Sequence, residues 1–293
     1  MAGRSYLVGL IGAGIQASRT PRMHEAEGRR RGMAYVYRLI DIEKAGLGVE
    51  ALPDLLTSAQ RMGFDGLNIT HPCKQAVIPL LDELSDDARE IGAVNTVVFR
   101  DGRRIGHNTD WWGFTEGFRA QLPNAAMDTV LQLGAGGAGS ATAHALLKLG
   151  TGELLIYDTH PDRAEALAAR LNRAFGAGRA AYAPDAPAAA ARAKGIVQAT
   201  PVGMTGHPGM PIAPTAIEAR HWVAEIIYFP LETEFVRVAR AKGCASADGS
   251  GMGVFQAVRA FELITGIRPD SAAMTADFFA AGPAPPSREA TAS

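Results

Sequence analysis

Six residues near the middle of the chain, Gly134-Ala135-Gly136-Gly137-Ala138-Gly139, restrict the possible folds more than any other feature. An apolar run at 129–133 precedes them, and an Ala-rich helical segment continues to position 149. A Gly-x-Gly-x-x-Gly pattern alone says little. Strand, glycines and helix in that order, however, are the setting of a dinucleotide-binding turn. Without Cβ atoms the turn can be tight and the backbone can approach a pyrophosphate, whose charge then faces the unpaired N–H groups of the helix start. Asp158 ends the next predicted strand, 153–157. A carboxylate there suits two free ribose hydroxyls and repels a 2′-phosphate, which favours NAD over NADP. The structural alternative is that the glycines only permit close helix–strand packing and Asp158 caps a turn. Arg163, at the start of a predicted helix over 163–174, suits either the adenosine half or an ordinary helical position.

Around this block the chain alternates between strand and helix patterns. Strands are predicted at 6–11, 35–40, 66–70 and 93–99, and helices at 21–31, 52–62, 76–84, 86–91 and 111–122. Further strands follow at 196–199 and 223–227, with helices at 234–241 and 251–265. The Ala-rich stretch 180–193 fits a surface helix, and there is no internal repeat. Alternating strands and helices imply an α/β protein whose parallel sheet is covered on both faces. The predicted division is 1–123, 124–248 and a helical return over 249–279. The tail 280–293, rich in Pro, Ala, Ser and Gly, is predicted to be disordered.

Composition narrows the class of protein. The chain has 293 residues, 47% of them apolar and 20% charged, with a net charge of −1. That balance gives no basis for a nucleic-acid or membrane partner, and no apolar run could span a bilayer. Arg29-Arg30-Arg31 reads as a solvated helix end. The two cysteines, Cys73 and Cys244, and the lack of a secretory leader point to the cytoplasm. The seven histidines show no metal-ligand spacing, so no metal is expected.

Polar residues recur where packing alone would not require them, in Ser18-Arg19-Thr20-Pro21, Asn68-Ile69-Thr70-His71-Pro72-Cys73-Lys74, Asn95-Thr96 and Asn108-Thr109-Asp110. These stretches resemble the shikimate/quinate dehydrogenase family, with its Ser-x-Ser/Thr-Pro, Asn-x-Thr-x-Pro-x-Lys, Gly-Ala-Val-Asn-Thr and Asn-Thr-Asp-x-x-Gly motifs. The resemblance continues through Ala199-Thr200-Pro201-Val202-Gly203-Met204, Tyr228-x-Pro230, Asp248-Gly249 and Gln256-Ala257, and so covers nearly the whole chain in order. It implies an N-terminal substrate domain and a Rossmann-type, doubly wound NAD domain, acting on a small hydroxylated cyclic acid.

By that resemblance Lys74 and Asp110 are the catalytic pair. Oxidising a secondary alcohol removes a proton from the hydroxyl as hydride leaves carbon. A lysine can take that proton once burial disfavours its ammonium, while a nearby carboxylate holds it in place. Asp110 could instead cap the helix that begins at Trp111. Ser18 and Thr20 are similar to the hydroxyls that hold the substrate carboxylate, or else cap the helix at Pro21. Asn68, Thr70, Asn95 and Gln256 are similar to residues that bind ring hydroxyls, and Tyr228 to one near substrate or nicotinamide. The resemblance places Thr200, Val202 and Met204 around the nicotinamide and Gly249 beside the cofactor, with Gly134, Gly136, Gly137, Ala138 and Gly139 at the pyrophosphate. Gln256 on the last long helix implies that this helix returns to the first domain.

Biosynthetic members usually carry Ser-x-Ser, and Asn-Arg-Thr where this chain has Asp158-Thr159-His160. Ser18-Arg19-Thr20 and Asp158 both resemble the NAD-dependent quinate/shikimate enzymes of catabolism. Cys73 stands where the family often has an aromatic residue or His. Alternatives are an NADP-dependent biosynthetic shikimate dehydrogenase, an aminoshikimate-type dehydrogenase, a folate-linked one-carbon dehydrogenase and a non-catalytic ligand sensor on the same fold. The chain is expected to be a monomer or homodimer.

Overall fold

A computed structural model describes residues 4–280; the predicted disorder beyond Ala280 lies outside the described residues. In chain order the elements are β1 (Ser5–Gly12), α1 (Thr20–Arg30), β2 (Ala34–Asp41), α2 (Leu52–Arg61), β3 (Gly66–Ile69), β4 (Glu83–Leu84), α3 (Asp86–Ile91), β5 (Thr96–Arg100), β6 (Arg103–His107) and α4 (Asp110–Gln121). Then come β7 (Thr129–Leu133), α5 (Gly137–Lys148), β8 (Glu153–Tyr157), α6 (Pro161–Phe175), β9 (Ala180–Tyr182), α7 (Ala186–Arg192), β10 (Gly195–Gln198), β11 (Trp222–Glu225), α8 (Glu234–Ala241), β12 (Ala245–Ala247), α9 (Ser250–Thr265) and α10 (Ser271–Ala280).

Two six-stranded sheets result. The second has the order β12-β11-β10-β7-β8-β9, parallel throughout, which is the doubly wound nucleotide-binding arrangement. Its central strand β7 buries Val130, Leu131 and Leu133 completely, as a strand covered on both faces should. A buried leucine contributes about 1.5–3 kcal/mol by leaving water. The first sheet, β2-β1-β3-β5-β6-β4, is mixed: β1 runs parallel to β2 and β3, while β5 is antiparallel to β3 and β6.

The mixing begins where β5 runs antiparallel to β3 and continues in a hairpin that the strand pattern alone did not reveal. Asp101 and Gly102 join β5 to β6 with φ of 52° and 77°. Asp-Gly is the pair that a tight hairpin turn favours. Another correction concerns 76–84, expected to be helical. Only a single 3-10 turn forms at Ile78–Leu80, and Glu83–Leu84 pairs with β6. Pro79 lacks the N–H a continuing helix needs. The stretch 180–193 likewise divides: Ala180–Tyr182 forms an edge strand on β8, and Asp185 caps the shorter α7 by accepting from the Ala188 N–H. The last long helix is followed by α10, which packs on α1.

Two helices join the sheets. Helix α4 leads from the first to the second, and α9 returns. They meet along glycines: a Cβ on Gly117 would lie 2.7 Å from Gly251 Cα, and one on Gly113 2.6 Å from the Gln256 nitrogen. Further along α9, Phe261 and Ile264 pack with Tyr6, Val8 and Tyr35 of the first sheet.

Candidate active site

At the open end of the first sheet, β3 and β5 align Asn68 with Thr96. The chain turns after β3, and the Val94 N–H donates to the Lys74 carbonyl at 2.8 Å, which ties that turn to the approach to β5. Lys74 Nζ reaches Asp110 Oδ2 at 2.5 Å. The two side chains are 18% and 7% exposed, so the pair sits at the edge of solvent without being bathed in it. Asp110 is the first residue of α4, where the helix dipole favours a carboxylate. The capping role that Asp110 could have filled belongs to Asn108, whose Oδ1 accepts from the N–H groups of Asp110 and Trp111 at 3.0 and 3.4 Å. Cys73 is fully buried among Ile11, Ile69 and Val77, where burial raises its thiol pKa.

Across from this pair lies the glycine turn. Gly134 has φ of 103°, and a Cβ on it would come within 2.6 Å of the Ala199 oxygen. On Gly139 a Cβ would lie 2.4 Å from the Gly134 oxygen. These two glycines serve close packing. Gly136 differs, because a Cβ there would meet nothing within 4 Å, and as N-cap of α5 it leaves the first helical N–H groups, at Gly137 and Ala138, without a capping side chain. A cradle of this kind, backbone bare and donors uncapped, fits a pyrophosphate. Toward Gly137 the nearest outside atom is Lys74 Cδ, 3.7 Å from where a Cβ would stand.

Gln132 holds the turn from below, with Nε2 donating to the carbonyls of Gly134 and Gly139, each at 2.8 Å. A wholly buried glutamine in an otherwise apolar strand was the available signal for it. Asp158 fulfils its structural reading: Oδ2 accepts from the Ala135 N–H at 2.8 Å and Oδ1 from the His160 N–H at 2.9 Å. Arg163 is exposed on α6. Thr200 Oγ1 accepts from the Val202 N–H at 3.1 Å, Gln198 donates to the Val202 carbonyl at 2.6 Å, and Met204 is 39% exposed in the same loop. Gly249 starts α9, where a Cβ would strike the Ile227 oxygen at 2.2 Å, so a tight backbone crossing requires glycine there.

Several expected residues converge with Asp110. Asn95 donates to Asp110 Oδ1 at 2.8 Å, and Asn68 lies two hydrogen bonds further on, through Thr96. Thr70, at the end of β3, donates its N–H to the Ile11 carbonyl. Tyr228 is near enough for the Asp110 charge to add to the burial that raises its phenol pKa. Gln256 donates to the Gly253 carbonyl on its own helix. Ser18 and Thr20 flank Arg19, whose guanidinium stacks 4.5 Å from the Phe229 ring and 4.6 Å from the Phe278 ring. Ser18 Oγ accepts from the Thr20 N–H at 3.3 Å at the start of α1, in keeping with its capping reading, while the N-cap residue Arg19 makes no side-chain bond there.

Sequence spacing gave no sign of one further cluster. Asp87, Glu90 and His144 bring ligand-type atoms within 4.8 Å of one another at the contact of α3 with α5. Lys148 Nζ stands 3.5 Å from the same Asp87 oxygen that faces His144, so an ammonium already balances that carboxylate.

A doubly wound nucleotide domain, set against an α/β domain that offers a half-buried lysine–carboxylate pair, defines a pyridine-nucleotide-dependent dehydrogenase. Residues 10–97 match the family model described as the shikimate dehydrogenase substrate binding domain. The chain is 58% identical to a shikimate dehydrogenase (NADP(+)) of Streptomyces avermitilis, over 93% of this chain and 94% of that one. It is 49% identical to a quinate/shikimate dehydrogenase (NAD(+)) of Corynebacterium efficiens, covering 94% and 98%. Among solved structures it is similar to the quinate dehydrogenase from Corynebacterium glutamicum in complex with NAD, with a TM-score of 0.89 and 46% identity over 95% of this chain and all of that one. The chain belongs to the shikimate dehydrogenase family.

Proposed function

We propose that this protein interconverts shikimate or quinate and the corresponding 3-dehydro ketone, with NAD as its hydride carrier. The observation that carries the reading is the position of one side chain. Lys74 lies with its amine on Asp110 and its stem against Gly137, the first residue of the helix that the glycine turn opens. An alcohol seated between that amine and the nucleotide turn would have its proton and its hydride drawn to opposite sides. Residues 1–123 then form the substrate domain and 124–248 the nucleotide domain, with 249–279 returning to the first.

The bound dinucleotide would supply the hydride acceptor, and every other task falls to the chain. Gly136, Gly137 and Ala138 would hold the pyrophosphate through backbone N–H groups, with Gly134 and Gly139 keeping the turn tight, while Asp158 would accept from the ribose hydroxyls. Arg163 would border the adenosine, and Thr200, Val202, Met204 and Gly249 the nicotinamide half. Ser18 and Thr20 would donate to the substrate carboxylate. Asn68, Thr70, Asn95, Tyr228 and Gln256 would surround the ring. Lys74 would take the hydroxyl proton in oxidation and return it to the ketone oxygen in reduction, with Asp110 holding the amine on that atom.

The names of the relatives divide over the cofactor, NADP(+) in the Streptomyces avermitilis enzyme and NAD(+) in that of Corynebacterium efficiens. The choice of NAD therefore rests on Asp158, whose charge would repel a 2′-phosphate. Initial rates over shikimate, quinate and aminoshikimate, each with NAD and NADP, test both halves of the proposal. Faster turnover of shikimate or quinate with NAD is expected. A preference for NADP would overturn the cofactor assignment, and no turnover with any pair would overturn the dehydrogenase reading.

A further inference from the structure

The Lys74–Asp110 pair is one end of a buried chain of side chains whose hydrogen-bond directions can be assigned one by one. Asp110 Oδ1 accepts from Asn95 Nδ2 at 2.8 Å, and the Thr109 N–H donates to Asn95 Oδ1 at 2.7 Å. A carboxylate accepts from donors and a backbone N–H can only donate, so the Asn95 amide has one possible orientation. Its second N–H goes to Thr109 Oγ1 at 2.9 Å. Both its donors are then spent within the protein.

Thr96 Oγ1 donates to Asn95 Oδ1 at 3.2 Å and so accepts from Asn68 Nδ2 at 3.0 Å. The other N–H of Asn68 faces the Asn95 backbone carbonyl at 3.4 Å, an acceptor under any assignment. Asn68 Oδ1 must therefore point the opposite way, and there the Tyr37 hydroxyl donates to it at 2.8 Å. Asn68, Asn95, Thr96, Thr109 and Asp110 are each 5% exposed or less, so water does not easily substitute for any of these partners.

Tyr37 stands on β2 and Asn68 on β3, with β1 between them. The phenol spans that strand to reach the amide. It is 5% exposed, and the ring of His24 packs edge-on against it at 5.1 Å. Tyr228, which feels the Asp110 carboxylate, also lies close enough to Tyr37 to act on its charge. Through Asn68, Thr96 and Asn95 the Tyr37 hydroxyl thus joins the same hydrogen-bonded network as the lysine pair, although it comes from the edge strand β2.

We infer that Tyr37 is a positioning residue that sets substrate specificity: its hydroxyl locks the Asn68 amide so that only an oxygen lone pair remains for the substrate. With both N–H groups engaged, Asn68 can accept from a ring hydroxyl and cannot donate to one. A ligand offering hydrogen or an ether oxygen at that place would leave a buried acceptor unmatched, which polar sites reject strongly. This inference rests on the dehydrogenase reading given above.

The experiment is steady-state kinetics of the full chain, Tyr37→Phe, Asn68→Ala and the double variant, with shikimate and with its 4-deoxy and 5-deoxy analogues. For shikimate, Tyr37→Phe should raise KM about tenfold, with kcat within about twofold and KM for NAD unchanged. In the Asn68→Ala background the same change should add nothing. With one of the two deoxy analogues the parent and Tyr37→Phe should have equal KM, because the hydroxyl facing Asn68 is gone. A parent that turns over shikimate while Tyr37→Phe matches it in KM would overturn the role of Tyr37 alone. So would equal losses on shikimate and both analogues, the mark of a general structural defect. A parent inert toward shikimate and quinate with either nucleotide would overturn the underlying reading, and the role of Tyr37 with it.

Discussion

Lys74 and Asp110 are 36 positions apart in the chain, yet the amine of one lies 2.5 Å from the carboxylate of the other. The turn after β3 brings the first and the start of α4 the second. Asn95 and Asn108 fasten the carboxylate end, one by its side chain and one through the helix cap. If this pair moves the proton, Lys74→Ala should lower kcat by roughly two orders of magnitude or more, the usual share of acid–base catalysis. The dissociation constant of shikimate, measured by calorimetry, should change far less. Equal losses in both would mean that the site had collapsed.

Asp158 serves the turn and the proposed ribose site with the same two oxygens, so removing it outright would confuse the two roles. Asp158→Asn keeps one oxygen for the Ala135 or His160 N–H and drops the charge. The ratio of kcat/KM with NADP to that with NAD should then rise about tenfold or more, since the repulsion of a 2′-phosphate is what the change removes. An unchanged ratio would mean that Asp158 supports the turn and does not select the nucleotide.

The two helices joining the sheets approach through glycine. Gly117→Ala would set a methyl 2.7 Å from Gly251 Cα, a distance only a shift of one helix can relieve. Overpacking of that kind costs about 1–3 kcal/mol. It should appear as a lower urea midpoint with little change in the m-value.

His24 is completely buried against Tyr35, Tyr37 and Phe261, and burial lowers its pKa from 6.5 to about 3. The unfolded chain therefore binds a proton between these values that the folded chain refuses. The stability due to neutral His24 is fully present above pH 6.5 and is lost as pH falls toward 3, by roughly 3 kcal/mol at pH 4. His144, lowered to about 4 chiefly by burial, acts in the same direction. Urea midpoints of the parent should drop more steeply from pH 6.5 to 4 than those of His24→Gln, whose side chain does not titrate. Parallel slopes would refute the assignment.

Reading order along the chain was enough to place the glycine turn and most of the strands, and the family resemblance singled out Lys74 and Asp110 as candidates. Those features depend on local chemistry: glycine where a Cβ would collide, apolar runs where both faces are covered, short polar motifs kept in one order. Gly134 and Gly139, packed against the Ala199 and Gly134 carbonyls, could be told from the open Gly136 only in the folded chain. Asp101-Gly102 did carry a local signal for its hairpin, and Pro79 one against a long helix, but neither was decisive against the surrounding pattern.

Tyr37 and the cluster of Asp87, Glu90 and His144 had no comparable signature, and the polar Gln132 within an apolar run was only a faint one. Each owes its place to neighbours from distant parts of the chain: a phenol reaching over a strand to Asn68, a glutamine beneath two carbonyls, two acids from one sheet's helix against a histidine from the other's. The sequence by itself determined the fold class and the glycine turn, because propensity, periodicity and motif order are properties of neighbouring residues, and its resemblance to a known family supplied the candidate lysine–aspartate pair. Which way each buried amide points, and which carboxylate faces which cation, was decided only in the folded molecule. A hydrogen bond has direction only when both partners are fixed in space.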